Sequence, residues 1–224
     1  MEGHSHALSG ACTGLAAGIV LHEGLTADVA LAGFTAGMAL LPDLDSIGAC
    51  ASRSLGFISE SVAWVIRLIS GGHRHASHSL VGIAVFTGLA WVACLFRHDL
   101  AGQIGLGLLL VIAVAGALEA LHLARSHVAD LAGVAVAGAV VWHGYGLALI
   151  PLAVLLGTCA HVAGDAATCS GVPLLWPVSE YRFRWWPSPL AFTTGTKPEL
   201  WLVDPALMVL LGLLAWDALS GLVH

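Results

Sequence analysis

Residues 100–118 read LAGQIGLGLLLVIAVAGAL, and this stretch decides the fold class of the chain. It carries no charged side chain, and its length approaches the ~20 residues with which an α-helix crosses the hydrocarbon core of a bilayer. A second uncharged run, SLVGIAVFTGLAWVACLF, occupies residues 79–96. One such run is compatible with a buried helix of a soluble protein, but several together predict helices that span a membrane.

The composition of the whole chain supports the same class. Hydrophobic residues make up 58% of the 224 residues, charged residues make up 10%, and the mean hydropathy is +0.90. A soluble domain of this length is far less apolar. The net charge of −6 is spread thinly and includes no basic patch. We therefore expect membrane lipids, and not nucleic acid, to be the partners of this chain. The sequence leaves the oligomeric state open.

Five further apolar segments extend the pattern, at residues 7–21, 27–41, 128–142, 144–160 and 201–216. We expect an all-α polytopic membrane bundle of about six to seven transmembrane helices, forming a single integral membrane domain over residues 1–224. Residues 55–69 (LGFISESVAWVIRLI) mix bulky apolar residues with Glu60 and Arg67. This mixture predicts either an interfacial helix or one arm of a short hairpin that dips into the membrane.

The distribution of basic residues predicts the orientation of the bundle. If each of the six clearer segments crosses once, His6 and the connections 42–78, 121–127 and 165–200 all lie on one side of the bilayer. That side holds seven of the eight Lys and Arg residues, and Arg97 alone lies opposite. The positive-inside rule makes the shared face cytoplasmic.

The same face collects most of the His and Asp residues that could carry chemistry. Ionisable groups at membrane spans are costly unless they pair, face water or bind an ion, and His and Asp are ligands of zinc, manganese and iron. The candidate metal ligands are His6, Asp43, Asp45, His73, His78, His161 and Asp165. These seven exceed the four ligands of one tetrahedral zinc ion. We therefore expect either two divalent ions or one ion surrounded by residues that orient its ligands and carry protons. Zinc is the expected metal, with manganese and iron as alternatives.

Spacing predicts how the carboxylates share this site. His161 and Asp165 are four residues apart, which places both on one face of a helix. Asp43 and Asp45 follow Pro42, which ends the preceding helix, and in an extended segment residues two apart point the same way. Each pair is expected to present two ligands together. The alternatives are a hydrogen bond between helices for the first pair and a helix-ending turn for the second.

The histidines of GHRHASHSL require a loop. His73 and His78 are five residues apart and would diverge on a continuous helix, so we expect a loop that turns both rings inward. We expect Ser77 to cap the helix that begins near His78. Arg74 is suited to binding an oxyanion or a phosphate. Asp45, His78 and Arg74 are the residues that we expect to take part in catalysis.

A second polar set lies near this face and consists of Glu119, His122, His127 and Asp130. Two interpretations stand side by side for these residues. They either orient the metal ligands or form structural hydrogen bonds between helices.

Four motifs are spaced along about residues 1–187: SHALSG, LLPDLDS, GHRHASHSL and HVAGDAATCSGVPLLWPVSEYRFRW. In their order and intervals, these motifs resemble the YdjM-like family. Members are described as inner-membrane, metal-dependent hydrolases, and a link to the LexA repressor is proposed for one of them. The resemblance therefore implies the plasma (inner) membrane of a bacterium, with the site facing the cytoplasm. The resemblance implies roles in the site for His6, Asp43, Asp45, His73, Arg74, Ser77, His78, Ser79, His161 and Asp165. Two positions depart from the family pattern. His75 stands where glycine is usual, and Cys169 stands where proline is common.

Three functions follow as hypotheses. The first is a hydrolase that uses a metal-activated water on an ester or phosphoester bond, in a lipid or lipid-linked substrate reached from the cytoplasmic face. The second is a non-catalytic metal-binding or ion-transport protein. The polar groups lie at the ends of the spans and not at their middles, which favours a site over a pathway. The third is a PAP2-type lipid phosphatase, but its Lys/Arg-rich first motif is missing and the His127–Asp130 interval is one residue short.

Overall fold

The computed structural model describes residues 1–22, 24–144, 146–187 and 190–221, and it is helical. The helices are α1 (Gly3–Leu21), α2 (Leu25–Met38), α3 (Cys50–Arg53), α4 (Phe57–Ser70), α5 (Leu80–Leu95), α6 (Leu100–Ala120), α7 (Ser126–His143), α8 (Ile150–Ala166) and α9 (Asp204–Ser220). Short helical turns cover Pro42–Asp45, Ala76–His78, Leu147–Leu149 and Glu199–Val203. Across the described ranges, β structure is limited to two isolated bridges in the connection between α8 and α9.

Among the described residues, four helical stretches are long and apolar enough to cross a membrane. They are Leu25–Asp45, Leu100–Ala120, Leu147–Ala166 and Glu199–Ser220, and the shorter Leu80–Leu95 is also apolar. The prediction of an all-α membrane fold is confirmed in this form. The predicted count of six to seven crossings is not confirmed. Helices α1 and α7 are 19 and 18 residues long, but their His and Asp side chains make them less apolar than the four.

Helix α2 is central, because it packs against α1, α6 and α8. Small residues allow the close approach. A Cβ atom on Gly14 of α1 would lie 2.6 Å from the Leu31 carbonyl oxygen of α2, and one on Gly157 of α8 would lie 2.6 Å from the Ala39 nitrogen just after α2. Any larger residue at either position would push the two backbones apart. The spacing of α1 and α8 from α2, and hence of the side chains they carry, is fixed by these contacts.

The chain reverses between successive long helices, so that particular helix ends lie together. The start of α1 lies beside the end of α6, since a Cβ atom on Gly3 would contact the Ala120 Cβ at 3.8 Å. The start of α9 joins them, because His4 Nε2 lies 2.6 Å from Asp204 Oδ2. This end of the bundle is the one on which the predicted metal ligands lie.

Helix α8 corrects one predicted boundary. The sequence predicts an apolar segment over residues 144–160, of which Tyr145 lies outside the described residues, but the helix covers Ile150–Ala166. Gly144 and Gly146 both adopt a left-handed backbone, with φ of 73° and 72°, which interrupts a helix. Pro151 then stands in the first turn of α8, where its missing N–H is harmless. Because of this shift, His161 and Asp165 lie within α8 and not beyond its end.

Residues 55–69 do form a helix, α4, which is amphipathic. Its buried residues are Ser59, Ala63 and Ser70, whereas Phe57 and Trp64 are exposed. Helix α4 rests on α3 and on the turn Pro42–Asp45. Its position along a membrane surface stays a prediction.

Candidate metal centre

The structure brings all seven predicted ligands to one end of the bundle. They form two groups in which the possible ligand atoms lie within 4.8 Å of one another. The first group is Asp43, Asp45, His73 and His78, and the second is His6, His161 and Asp165. The first comes from the turn after α2 and the loop before α5, and the second comes from α1 and α8. Four separate segments of the chain therefore build this site.

His161 and Asp165 share one face of α8, as their spacing predicts. Both are fully buried, and His161 Nε2 lies 3.6 Å from Asp165 Oδ2. The Nδ1 atom of His161 donates a hydrogen bond to the Ala39 carbonyl oxygen at 2.6 Å. This bond fixes the tautomer and leaves the Nε2 lone pair free for a ligand.

His78 joins the two groups. Its Nε2 atom lies 3.0 Å from His161 Nε2, 3.5 Å from Asp165 Oδ2 and 3.7 Å from Asp43 Oδ1. The Asp43 oxygen is also 3.7 Å from His161 Nε2. In a tetrahedral zinc site with bonds of about 2.0–2.1 Å, neighbouring ligand atoms lie about 3.3–3.4 Å apart. The two imidazole nitrogens and two carboxylate oxygens therefore fit one tetrahedral cation.

Unsatisfied atoms provide an independent test of this fit. Among the residues that the structure describes, Asp165 Oδ2 and both ring nitrogens of His6 are buried and have no hydrogen-bond partner. His6 stacks on His161 with ring centroids 3.6 Å apart, and its Nε2 approaches Asp165 Oδ1 at 3.3 Å without hydrogen-bond geometry. Buried polar atoms without a partner are rare in proteins. A divalent cation would satisfy Asp165 Oδ2, so the residues present fit a metal.

Asp45 differs from Asp43, because its oxygens are already occupied by protein donors. Oδ1 accepts from His73 Nδ1 at 2.6 Å, and Oδ2 accepts from the Arg74 backbone N–H at 3.1 Å and from the Ser77 hydroxyl. Ser77 Oγ in turn lies 3.0 Å from His78 Nδ1. This chain of hydrogen bonds orients the His78 ring and directs its Nε2 toward Asp43 and His161.

Two local predictions were wrong, and for one reason. The segment Pro42–Asp45 forms a 3₁₀ turn and not the extended segment that we expected. The possible ligand atoms of Asp43 and Asp45 still lie within 4.8 Å of each other, so the two carboxylates are presented together as predicted. Ser77 does not cap α5, since it lies in a second 3₁₀ turn, Ala76–His78. The cap is Ser79, whose hydroxyl accepts from the Gly82 N–H at 3.2 Å. Ser77 is thereby free to contact Asp45.

The charge of His78 follows from its surroundings. Burial lowers the pKa of this ring, but the Asp43 and Asp45 carboxylates beside it outweigh burial and raise the pKa to about 9. Without a metal, His78 is therefore protonated at neutral pH. A metal ion must displace that proton in order to bind Nε2.

Arg74 links the loop to α8. Its guanidinium donates to Asp165 Oδ1 at 2.9 Å and to Thr168 Oγ1 at 3.3 Å. The Met1 amino group also donates to Asp165 Oδ1. Arg74 has a φ of 57°, a left-handed conformation that is uncommon for a residue with a side chain and that clusters at functional sites. The guanidinium is thereby held beside the four proposed ligand atoms.

Sequence reasoning missed several partners of the site. Thr168 offers a usable signal, because it follows Asp165 by three residues and donates to the Asp165 carbonyl at 2.7 Å. The Ala39 carbonyl has no sequence signal, since any residue supplies that group. A small cavity of about 160 Å³ also opens onto Asp43 and is lined in part by Gly48 and Cys50.

The second polar set lies apart from the metal ligands. Within the described part of the chain, no hydrogen bond or ion pair joins Glu119, His122, His127 or Asp130 to any of the seven ligands. His122 instead lines a cavity of about 370 Å³ together with His4 and Asp204. The structure therefore gives no support to the interpretation that these residues orient the ligands.

Comparison with known proteins gives one match. The family profile described as YdjM inner membrane protein matches residues 1–220, which confirms the resemblance seen in the motifs. No curated protein and no solved structure matches the chain.

Proposed function

The chain belongs to the YdjM inner membrane protein family, and we propose that it is a metal-dependent hydrolase. The proposed bond is an ester or phosphoester in a lipid or lipid-linked substrate, reached at the cytoplasmic face. One observation carries this proposal. Five distances of 3.0–3.7 Å connect two imidazole nitrogens and two carboxylate oxygens, namely the Nε2 atoms of His78 and His161, Asp43 Oδ1 and Asp165 Oδ2. Imidazole nitrogen and carboxylate oxygen are the atom types that a catalytic zinc uses.

The proposed cofactor is one divalent ion held by three or four of these residues, so that a coordination position would stay open to water, with zinc as the first choice and manganese or iron as alternatives. A bound ion of this kind supplies an acidified water molecule and stabilises negative charge on a carbonyl or phosphoryl oxygen. His6 has two unpartnered nitrogens beside Asp165, and it is the residue available to a second ion.

The remaining residues act around the ligands. Asp45 holds His73, Arg74 and Ser77 in one loop conformation and is proposed as a positioning residue. Arg74 is proposed to bind the anionic oxygen of the substrate, because its planar guanidinium suits a phosphate or carboxylate. His73 is partly exposed, at 37%, and hydrogen-bonded to Asp45, so it lies at the boundary between the buried ligands and solvent.

The first experiment measures turnover. Detergent-purified protein, loaded with zinc, manganese or iron, is assayed on a panel of carboxylic esters, phosphomonoesters and phosphodiesters with short and long acyl chains. We expect His161→Gln to lower turnover at least about a hundredfold, because charge stabilisation by a metal contributes several kcal/mol. The control is His98→Gln, since His98 is exposed and lies at the opposite end of α5. Turnover that survives both chelation and His161→Gln would contradict the proposal.

Ion transport remains the second candidate, and Asp28 is the observation in its favour. Asp28 lies in the stretch Leu25–Asp45, is 6% exposed, and has an Oδ1 without a partner among the described residues. It lines a cavity of about 400 Å³ with Asp217, at the end of α2 opposite the metal centre. Zinc uptake into proteoliposomes that is abolished by Asp28→Asn, without ester turnover by the wild type, would favour transport.

A further inference from the structure

Two apolar cavities lie one after the other along the same face of α5 and share Phe86 and Leu89 in their walls. The first, of about 420 Å³, lies among α4, α5 and α6. The second, of about 350 Å³, lies between α4 and α5 and is also lined by Trp176. Their walls are almost entirely carbon, because nearly all the lining side chains are aliphatic or aromatic. Each cavity therefore suits an apolar chain.

Both cavities extend to residues of the metal centre. Leu44, in the wall of the first cavity, stands between Asp43 and Asp45 in the chain. Ser77, in the wall of the second, donates its hydroxyl to Asp45 and lies 3.0 Å from His78 Nδ1. An apolar chain in either cavity would thus have one end beside the proposed metal ligands.

The cavities face outward from the bundle. Val85 and Leu89 of α5 are 52% and 63% exposed, and Ile69 of α4 is 75% exposed. In an inner membrane protein, apolar side chains that are exposed on helices lie against lipid. The acyl chains of the bilayer are therefore the apolar groups that reach these cavities most directly.

Basic residues lie where a headgroup would be. Arg67 of α4 stands between Ile66 and Ile69, which both line the second cavity. Its guanidinium donates to the Asp45 carbonyl oxygen at 3.2 Å. Arg74 lies on the other side of Asp45, with its backbone N–H on the carboxylate. Two guanidinium groups at the polar end of two apolar cavities are complementary to the phosphate of an anionic lipid.

We propose that the two cavities bind the two acyl chains of an anionic glycerophospholipid, with its phosphate between Arg67 and Arg74. This inference rests on the proposed function in one respect, since the bound lipid would be the substrate of the metal centre. It assigns the substrate class, and it makes Val85, Phe86 and Leu89 the residues that determine which chain lengths are accepted.

The test is crosslinking, which does not require turnover. The full chain is reconstituted in nanodiscs that contain phosphatidylglycerol with a photoactivatable diazirine near the end of one acyl chain, and the crosslinked peptides are identified by mass spectrometry. We expect crosslinks to concentrate on α4 and α5. Val85→Trp, which fills the second cavity, should lower them about tenfold. The matched control is Val209→Trp, because Val209 is an exposed valine on α9.

Further variants separate this inference from the proposed function. Asp165→Asn should lose metal but keep the crosslinks, and Arg67→Gln should reduce crosslinking of phosphatidylglycerol more than that of phosphatidylcholine with the same chains. Crosslinks spread evenly over α5 and α9, or equal effects of the two tryptophan variants, would overturn the lipid site even if short esters are hydrolysed. Crosslinks on α4 and α5 without any turnover would support the lipid site and contradict the hydrolase.

Discussion

Two His/Asp clusters lie at the same end of the bundle, and they differ in how fully the protein satisfies them. In the first, Asp204 accepts from Ser5 Oγ at 2.7 Å on one oxygen and lies 2.6 Å from His4 Nε2 on the other. In the second, Asp165 Oδ2 has no hydrogen-bond partner among the described residues. The same two residue types thus form a closed structural contact in one place and an incomplete site in the other.

Helix polarity sharpens the difference. Asp204 lies more than one turn inside the continuous helical stretch Glu199–Ser220, so the helix dipole has little effect on its carboxylate. Asp165 is next to the last residue of α8, where the dipole disfavours one. A buried carboxylate at a helix C-terminus needs cations, and both Arg74 and the Met1 amino group contact its Oδ1 and not its Oδ2. The comparison shows that a His–Asp pair alone does not indicate a metal site, and that the two clusters differ in the buried carboxylate oxygen that lacks a partner.

The largest expected effect comes from removing the two carboxylates in turn. We expect Asp165→Asn to abolish stoichiometric metal, because it removes a charged ligand, whereas Asp204→Asn should keep the metal content of the wild type. Elemental analysis of protein purified without chelator measures both. Equal metal contents in the two variants would break the distinction between the clusters.

The second effect is a pH dependence of the stability of the metal-free protein, which arises at the metal centre. In the metal-free protein, His78 has a pKa of about 9, above the ordinary 6.5, so the folded state binds a proton that the unfolded state releases. The resulting stabilisation, up to about 3 kcal/mol, is complete below about pH 6.5 and is lost as the pH rises to about 9. Thermal unfolding of chelator-treated protein across this range measures it.

Two controls belong to that scan. His78→Gln should remove the fall in stability, because glutamine does not titrate. Zinc-loaded protein should not show it, since the metal replaces the proton. A fall of the same size in His78→Gln would mean that another group is responsible.

The smallest effects come from two matched serines, each of which donates to an aspartate. Ser77→Ala should weaken metal affinity about 10–100-fold, because Ser77 orients His78 and Asp45. Ser5→Ala should leave metal affinity unchanged and lower the free energy of unfolding by about 1–3 kcal/mol, since it leaves an oxygen of Asp204 unpaired. Metal titration and thermal unfolding of both variants distinguish them. A loss of affinity in Ser5→Ala would show that the two clusters are coupled.

Much of the site could be predicted because its signals are local. The i,i+4 spacing of His161 and Asp165 places them on one face of α8, and membrane topology brings separated loops to one side. The backbone conformation at Asp43 and Asp45 could not be predicted in this way. Pro42 ends a helix in either case, and it does not distinguish an extended segment from a 3₁₀ turn.

The different surroundings of His4 and His6 are a second feature that could not be predicted from the sequence. Both lie in the first turn and a half of α1, and being two residues apart they must face different directions. Whether each meets α8 or α9 depends on how the helices pack. Close contacts such as that of Gly157 with Ala39 set that packing, and they act between residues far apart in the sequence.

The distribution of the ligands along the chain has a consequence for biosynthesis. Asp43 and His78 are synthesised before α8, and His161 and Asp165 come only when α8 is made. A nascent chain that stops before α8 holds two of the four proposed ligands. The proposed ion would therefore bind only after α8 has joined the earlier helices, and its presence would show that this packing has taken place.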